Sequence, residues 1–234
     1  MVRLRLWNDP YDAEGNSYSA GYSDIKTVLK LAKRASKLGL DWLLDLHYSD
    51  CWADPGKQTI PKAWQGMNVD ELETAVYEYT LNVLKECEEA GLKPQMVAIG
   101  NELSNGLLWP YAKVPEYANI ARFVSAGIRA SREFDAKIPV MIHLDNGGNN
   151  ELYRRWFDNY FANNGLDFEY IGLSYYPFWH GTLDMLTDNM NDIAERYGKD
   201  LIVAEGSMGY TMEDYKDYEK LSDEERKGYA TKQE

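Results

Sequence analysis

Short runs of apolar and β-branched residues alternate along this chain with longer stretches in which apolar side chains return every three or four positions. The short runs VRLRLW (2–7), DWLLDL (41–46), QMVAIG (95–100), PVMIHL (139–144), FEYIGLSYY (168–176) and LIVAEG (201–206) have the length and composition of strands. Between them the clearest helical pattern runs from Val69 to Ala90, with Leu72, Val76, Tyr79, Val83, Leu84 and Cys87 on one face. Asn68 can cap its start with Glu71 three residues on, and Gly91 follows its last turn. A second helix, Asp24 to Leu38, repeats the pattern with Ser23 before it and Gly39 after it.

Strand and helix in regular alternation predict parallel strands with right-handed crossovers, in either a closed (β/α)8 barrel or an open doubly wound sheet. Polar residues favour the barrel: Asp, His, Asn and Glu collect at the C-terminal ends of several strands, where a barrel gathers its active site. An open sheet would be expected to carry a Gly-rich turn after its first strand, and neither G-x-G-x-x-G nor a Walker-type loop is present. The fold class is therefore α/β, a (β/α)8 TIM barrel in one domain over residues 1–234. Six strands are visible where a barrel needs eight, the chain opens on a strand, and it stops at GYATKQE inside a helical pattern. The expectation is a barrel truncated at both ends, with strands two to seven present.

Composition narrows the partners. A formal charge of −13 with no clustered Lys and Arg argues against nucleic acid. No apolar run approaches the roughly 18 residues of a membrane span, and MVRLRLWNDP has none of the parts of a secretion signal. Cys51 and Cys87 lack partners at ligand spacing and read as buried free thiols. Aromatic residues make up 13% of the chain, more than a core of this size needs, so some aromatic surface is expected to face a ligand.

Two glutamates carry the candidate chemistry. Glu102 and Glu205 each follow an apolar strand, in MVAIGNE and LIVAE, and would emerge at one rim of a barrel. A pair of carboxyls flanking a bond is what glycoside hydrolysis uses, one protonating the leaving oxygen and the other attacking the sugar carbon or activating water. Asn101 can donate to a sugar hydroxyl. Arg3, Arg5 and Trp7 share one face of their strand, and the arginines need anionic partners, either a catalytic carboxylate or Asp45. The long loop DLHYSDCWADPGKQTIPKAW brings His47, Asp50, Trp52 and Trp64, while Trp109 and Trp179 lie in later loops. His143, Asp145, Ser174 and Tyr176 complete the rim, where a Tyr can hold a nucleophile ionised. His47, His143 and His180 lack the spacing of a metal triad, so neither metal nor cofactor is expected.

The stretches VRLRLWNDP, DLHYSDCWADPGKQTIPKAW, VAIGNELSNGLLWP, MIHLDNG, SYYPFWHGT and IVAEGS resemble, in order, the endo-β-1,4-galactanases of glycoside hydrolase family 53, in clan A of the retaining glycosidases. The resemblance implies Glu102 as acid/base, Glu205 as nucleophile, Asn101 as the 2-hydroxyl contact and Arg3 beside the nucleophile. It further implies a retaining mechanism with carboxyls about 5 to 5.5 Å apart and a substrate in the β-1,4-galactan side chains of pectin. A secreted or cell-surface monomer follows from that polymer, with no nucleic acid or membrane partner.

Departures from the family pattern accompany the match. Its first strand, with the Gly-Val-Asp motif, and its last, with a Trp-bearing end, have no counterpart here. That predicts exposed strand edges and a chain that is a fragment or weakly active. Some bacterial relatives bind calcium after the seventh strand, but SMGYTMEDYKDYEKLSDEE shows no ligand pattern. Two alternatives stay open: another clan A β-1,4-glycanase such as a mannanase or cellulase, and a carbohydrate-binding remnant without activity.

Overall fold

Residues 1–18 and 23–208 are described by the structure, a computed structural model. Six strands form one parallel sheet: β1 (Val2–Leu6), β2 (Trp42–Leu46), β3 (Met96–Ile99), β6 (Val140–Leu144), β7 (Tyr170–Tyr175) and β8 (Asp200–Gly206), hydrogen-bonded in the order β1-β2-β3-β6-β7-β8. A two-stranded hairpin of β4 (Gly106–Leu107) and β5 (Ala112–Lys113) decorates the loop after β3. Helices α1 (Ile25–Lys37), α2 (Val69–Glu89), α3 (Tyr117–Phe134), α4 (Asn150–Ala162) and α5 (Leu183–Tyr197) are the crossovers. Each strand pairs with its neighbours along the chain, the order of a (β/α)8 barrel rather than of a doubly wound sheet. The six-strand expectation and its boundaries agree with the structure to within two residues.

Alternation along the strands produces two apolar layers. Leu44, Leu46, Val97, Ile99, Val140, Ile142, Ile171 and Leu173 face Val28, Val76, Phe123, Trp156 and Ile193 of the helices. On the other face Leu43, Met96, Ala98 and Met141 pack together with Tyr170, Ile202 and Ala204, forming the floor beneath the polar mouth. Gly172 belongs to this floor because a Cβ there would meet Met141 Sδ at 2.8 Å. Gly172→Ala is expected to cost about 1 to 3 kcal/mol through overpacking of the buried Met141, measured as a lowered denaturation midpoint.

The helix ends follow local chemistry. Asn68 caps α2 in a full capping box with Glu71, as the spacing predicts. The cap of α1 is Asp24 rather than Ser23: its carboxylate accepts from the Thr27 N–H at 2.8 Å and from the Tyr11 hydroxyl, so the helix begins one residue later than the pattern suggests. Of the two thiols Cys87 is buried, but Cys51 is half-buried with Lys57 Nζ donating to it at 3.1 Å, a correction to the expectation for that residue. No helix among the described residues is long and apolar enough to cross a membrane.

Candidate active site

Where β3 ends, the backbone turns through Gly100 at φ +80° into Asn101 and then Glu102, itself left-handed at φ 49° and ψ 58°. A non-glycine residue in that region costs on the order of 1 to 3 kcal/mol, which the surroundings must offset. Gln58 Nε2 donates to the Asn101 carbonyl at 2.8 Å, Asn101 Nδ2 donates to the Ala53 carbonyl at 2.7 Å, and Trp156 Nε1 donates to the Leu103 carbonyl at 2.7 Å. The turn is thereby held from the long loop after β2 and from α4. Its effect is to aim the Glu102 carboxyl across the mouth to Ser174 Oγ, 2.6 Å away at the end of β7.

Glu205 reaches the same mouth through a β-bulge. Leu173 pairs with Val203 but Ser174 pairs with Glu205, so Ala204 is an extra residue in β8. Strict alternation from Ile202 would put Ala204 inside and Glu205 outside, whereas the bulge turns Glu205 inward. There it accepts from Arg3 Nη1 and from the Tyr176 hydroxyl at 2.8 Å, with Arg5 3.9 Å away.

Burial drives the Glu102 carboxyl up to about 7, with the charges of Glu205 and Asp145 adding to the rise, while the Arg3 charge and a Ser174 hydroxyl that donates oppose it. Burial pushes Glu205 upward too, but the Arg3 guanidinium overcomes it and, with Tyr176, holds the carboxyl below its ordinary 4.5. Two glutamates in one pocket are thus separated in acidity by their surroundings. Tyr176 pairs with an anion and its phenol is itself raised, first by burial and then by Glu205, so it stays a donor.

Beneath the glutamates lies a closed polar layer. Arg3 Nη2 meets Asp45 Oδ2 at 2.8 Å and donates to Asn101 Oδ1, so Arg3 has both anionic partners considered from the sequence. Against complete burial, Arg3 and His47 hold Asp45 down at about 2. His47 Nε2 lies 3.1 Å from that carboxylate, while its Nδ1 accepts from the Ala53 N–H. His143 sits between Asn101 Oδ1 and Ser174 Oγ, 2.9 Å from each. Burial, then Arg3, pushes His143 down to about 3, which leaves it neutral.

Some predicted substrate contacts belong to this layer or to the core. His47 and His143 are 1% and 0% exposed, so they act on the site from below. Asn101, 1% exposed, is fixed in place by its amide, which donates to the Ala53 carbonyl. Trp64 is not a sugar platform: it packs edge-on against Tyr79 and tilted against Tyr48 over α2, at centroid distances of 5.7 and 6.4 Å. Asp50 stitches loops, its oxygens taken by the N–H groups of Asp9 and Lys62.

The rest line the rim. Arg5 stacks over Trp52 at 4.2 Å, and Trp52 in turn meets the buried Trp7 and His47. Asp145 accepts from Ser104 and is raised by burial. Trp179 is 63% exposed beside Tyr176, over a groove shared with Asn146, Asn149, His180 and Asp188. Trp109 stands farther along, its indole N–H on the Asn105 carbonyl and one face under Lys113 Nζ. Gln58 and Ser104 were not foreseen, since one Gln or Ser in a loop carries no pattern. Among the described residues no group of three or more His, Cys, Asp or Glu could hold a metal ion, and the acidic stretch weighed for calcium lies outside them beyond Met208.

Residues 1–234 match the model of glycosyl hydrolase family 53. The chain is 43% identical over 220 residues to an uncharacterised protein of Niallia circulans, covering 91% of this chain and 58% of that one. With an endo-β-1,4-galactanase of Bacillus subtilis it shares 38% identity over 213 residues, 91% of this chain and 48% of the relative. The family 53 catalytic domain of Ignisphaera aggregans superposes with a TM-score of 0.86 at 39% identity, covering 92% of this chain and 59% of that structure. This chain therefore spans about half the length of the relatives it matches.

Proposed function

We propose, because the chain belongs to glycosyl hydrolase family 53, that it acts in the endo-hydrolysis of β-1,4-galactan with retention. The observation that carries this is the pair of glutamates in one mouth with opposite tendencies, Glu102 pushed up to about 7 and Glu205 held ionised. The substrate class is supported by the name of the Bacillus subtilis relative, an endo-β-1,4-galactanase.

In the first step Glu205 attacks the anomeric carbon while Glu102 gives its proton to the departing glycosidic oxygen, leaving a sugar esterified to Glu205. In the second, ionised Glu102 takes a proton from water, whose oxygen displaces Glu205 from the same carbon. Trp179, 63% exposed, offers its indole to a pyranose ring. A secreted or cell-surface address follows from a wall polymer as substrate, and the enzyme would act as a monomer.

Release of short galacto-oligosaccharides from potato galactan, with none from mannan or carboxymethylcellulose, is the expected result. Hydrolysis of mannan alone would sink the galactan reading. The rate should follow a bell: rising as Glu205 ionises below pH 4.5, then falling tenfold per pH unit above about 7 as Glu102 loses its proton. The span of about half a relative favours one further reading, a module that binds galactan without cleaving it. Galactan retained by the chain with no reducing ends released would support that module instead.

A further inference from the structure

Hydrogens along Asn101, His143, Ser174 and Glu102 can be placed by counting donors from the anchored end. Asn101 Nδ2 donates to the Ala53 carbonyl, which turns its Oδ1 toward Arg3 and His143, and that oxygen can only accept. Arg3 Nη2 donates to Asn101 Oδ1 and forms an ion pair with Asp45 Oδ2 at 2.8 Å. Its contact with His143 Nδ1 is the longer one at 3.3 Å, and a bare Nδ1 would set its lone pair against the Asn101 oxygen. Nδ1, 2.9 Å from Asn101 Oδ1, must therefore carry a hydrogen and donate it. A neutral imidazole holds one such proton, so Nε2 is bare and takes the hydroxyl hydrogen of Ser174, 2.9 Å away. Ser174 Oγ lies 2.6 Å from Glu102 Oε1 and would donate to an ionised carboxylate, but with its hydrogen on Nε2 it offers only lone pairs, and the hydrogen between them is then the carboxyl's.

We infer that Ser174 and His143 form a one-way hydrogen-bond string, anchored on Arg3, Asn101 and Ala53, that accepts from Glu102 and holds it in its protonated form. This deepens the reading of Glu102 as acid/base, on which it rests, and makes Ser174 and His143 positioning residues. Once Glu102 has given its proton to the leaving oxygen, its carboxylate faces a lone pair instead of a donor. Recapture of a proton, supplied by the water of the second step, is favoured accordingly.

Other charges surround the string. Glu102 faces Glu205 from β8, Asp145 from beyond β6 and Arg3 from β1, with Tyr176 nearby. His143 faces Arg3, Asp45, His47 and Glu205. All of these stay in place when Ser174 alone is changed, so a difference between variants reports the Ser174 contact.

The opposite polarity makes the opposite prediction. A Ser174 hydroxyl donating to ionised Glu102 would hold its titration midpoint down, and removing it would raise that midpoint. Under the one-way string, Ser174→Ala removes an acceptor that favours the protonated form. Carbon NMR titration of glutamate side chains in the 234-residue chain should then find the Glu102 midpoint lower by about one pH unit, a tenfold loss of proton affinity. Ser174→Thr, which keeps the hydroxyl, should return the midpoint to its original place. Nitrogen NMR should find His143 protonated on Nδ1 and bare on Nε2 at neutral pH in the unmutated chain. A midpoint that rises or stays put in Ser174→Ala, or an Nε2-protonated His143, overturns the string. Neither measurement needs turnover, so a chain that fails on galactan refutes the proposed function without touching this result.

Discussion

Glu205→Gln is expected to reduce galactan hydrolysis by about ten-thousandfold or more, the scale of losing a covalent nucleophile. The substitution is nearly isosteric. Its carbonyl oxygen can still accept from Arg3, and the amide can donate to Tyr176, whose phenol oxygen then serves as acceptor. Folding should survive, checked by an unchanged circular dichroism spectrum, and galactan should still bind. A second effect follows from charge: with Glu205 neutral, one cause of the high Glu102 midpoint is gone and that midpoint falls. Azide separates the two roles. With an aryl β-galactobioside, Glu205→Ala should yield the α-galactosyl azide, because azide attacks from the face the carboxylate has vacated. Glu102→Ala should yield the β-galactosyl azide, because azide then replaces water on the covalent intermediate. Exchanged products would reverse the assignment, and undiminished hydrolysis by Glu205→Gln would remove Glu205 from the chemistry.

Strand order and the gathering of the two glutamates at one mouth were legible because they depend on local signals: apolar runs of strand length, capped helices between them, and polar residues just past the strands. What escaped depends on contacts between segments far apart in sequence. The inward turn of Glu205 depends on a bulge against Leu173 and Ser174, and period-2 alternation points the other way. Trp64 reads as a loop residue free to stack on sugar, yet a short helical turn, Lys62–Trp64, folds it onto Tyr48 and Tyr79. His143 ends a strand as a rim residue should, but its neighbours close over it and convert a candidate substrate contact into a hydrogen-bonded support.

Arg3→Met should have the largest effect on stability. The Arg3 guanidinium is shared by Asp45, Glu205 and Asn101, and Asp45 is wholly buried. Removing one partner of a buried charge pair costs about 3 to 5 kcal/mol, because the other is left uncompensated. That is a large part of the roughly 5 to 15 kcal/mol by which a domain is stable. In the unmutated chain Asp45 is held at about 2 against an ordinary 3.8. Its pairing therefore contributes stability that is complete above about pH 4 and is lost as pH falls toward 2. Without Arg3, burial dominates and raises Asp45 above its unfolded value, so the penalty is present at neutral pH and eases on acidification. Urea midpoints should show a deficit for Arg3→Met at pH 7 that narrows toward pH 4. Arg3→Met with Asp45→Asn, which leaves Glu205 as the one anion deprived of its guanidinium, should recover part of the loss and weaken its pH dependence. Equal deficits at both pH values, with no recovery in the double variant, would mean that Arg3 stabilises by packing its stem rather than by neutralising Asp45.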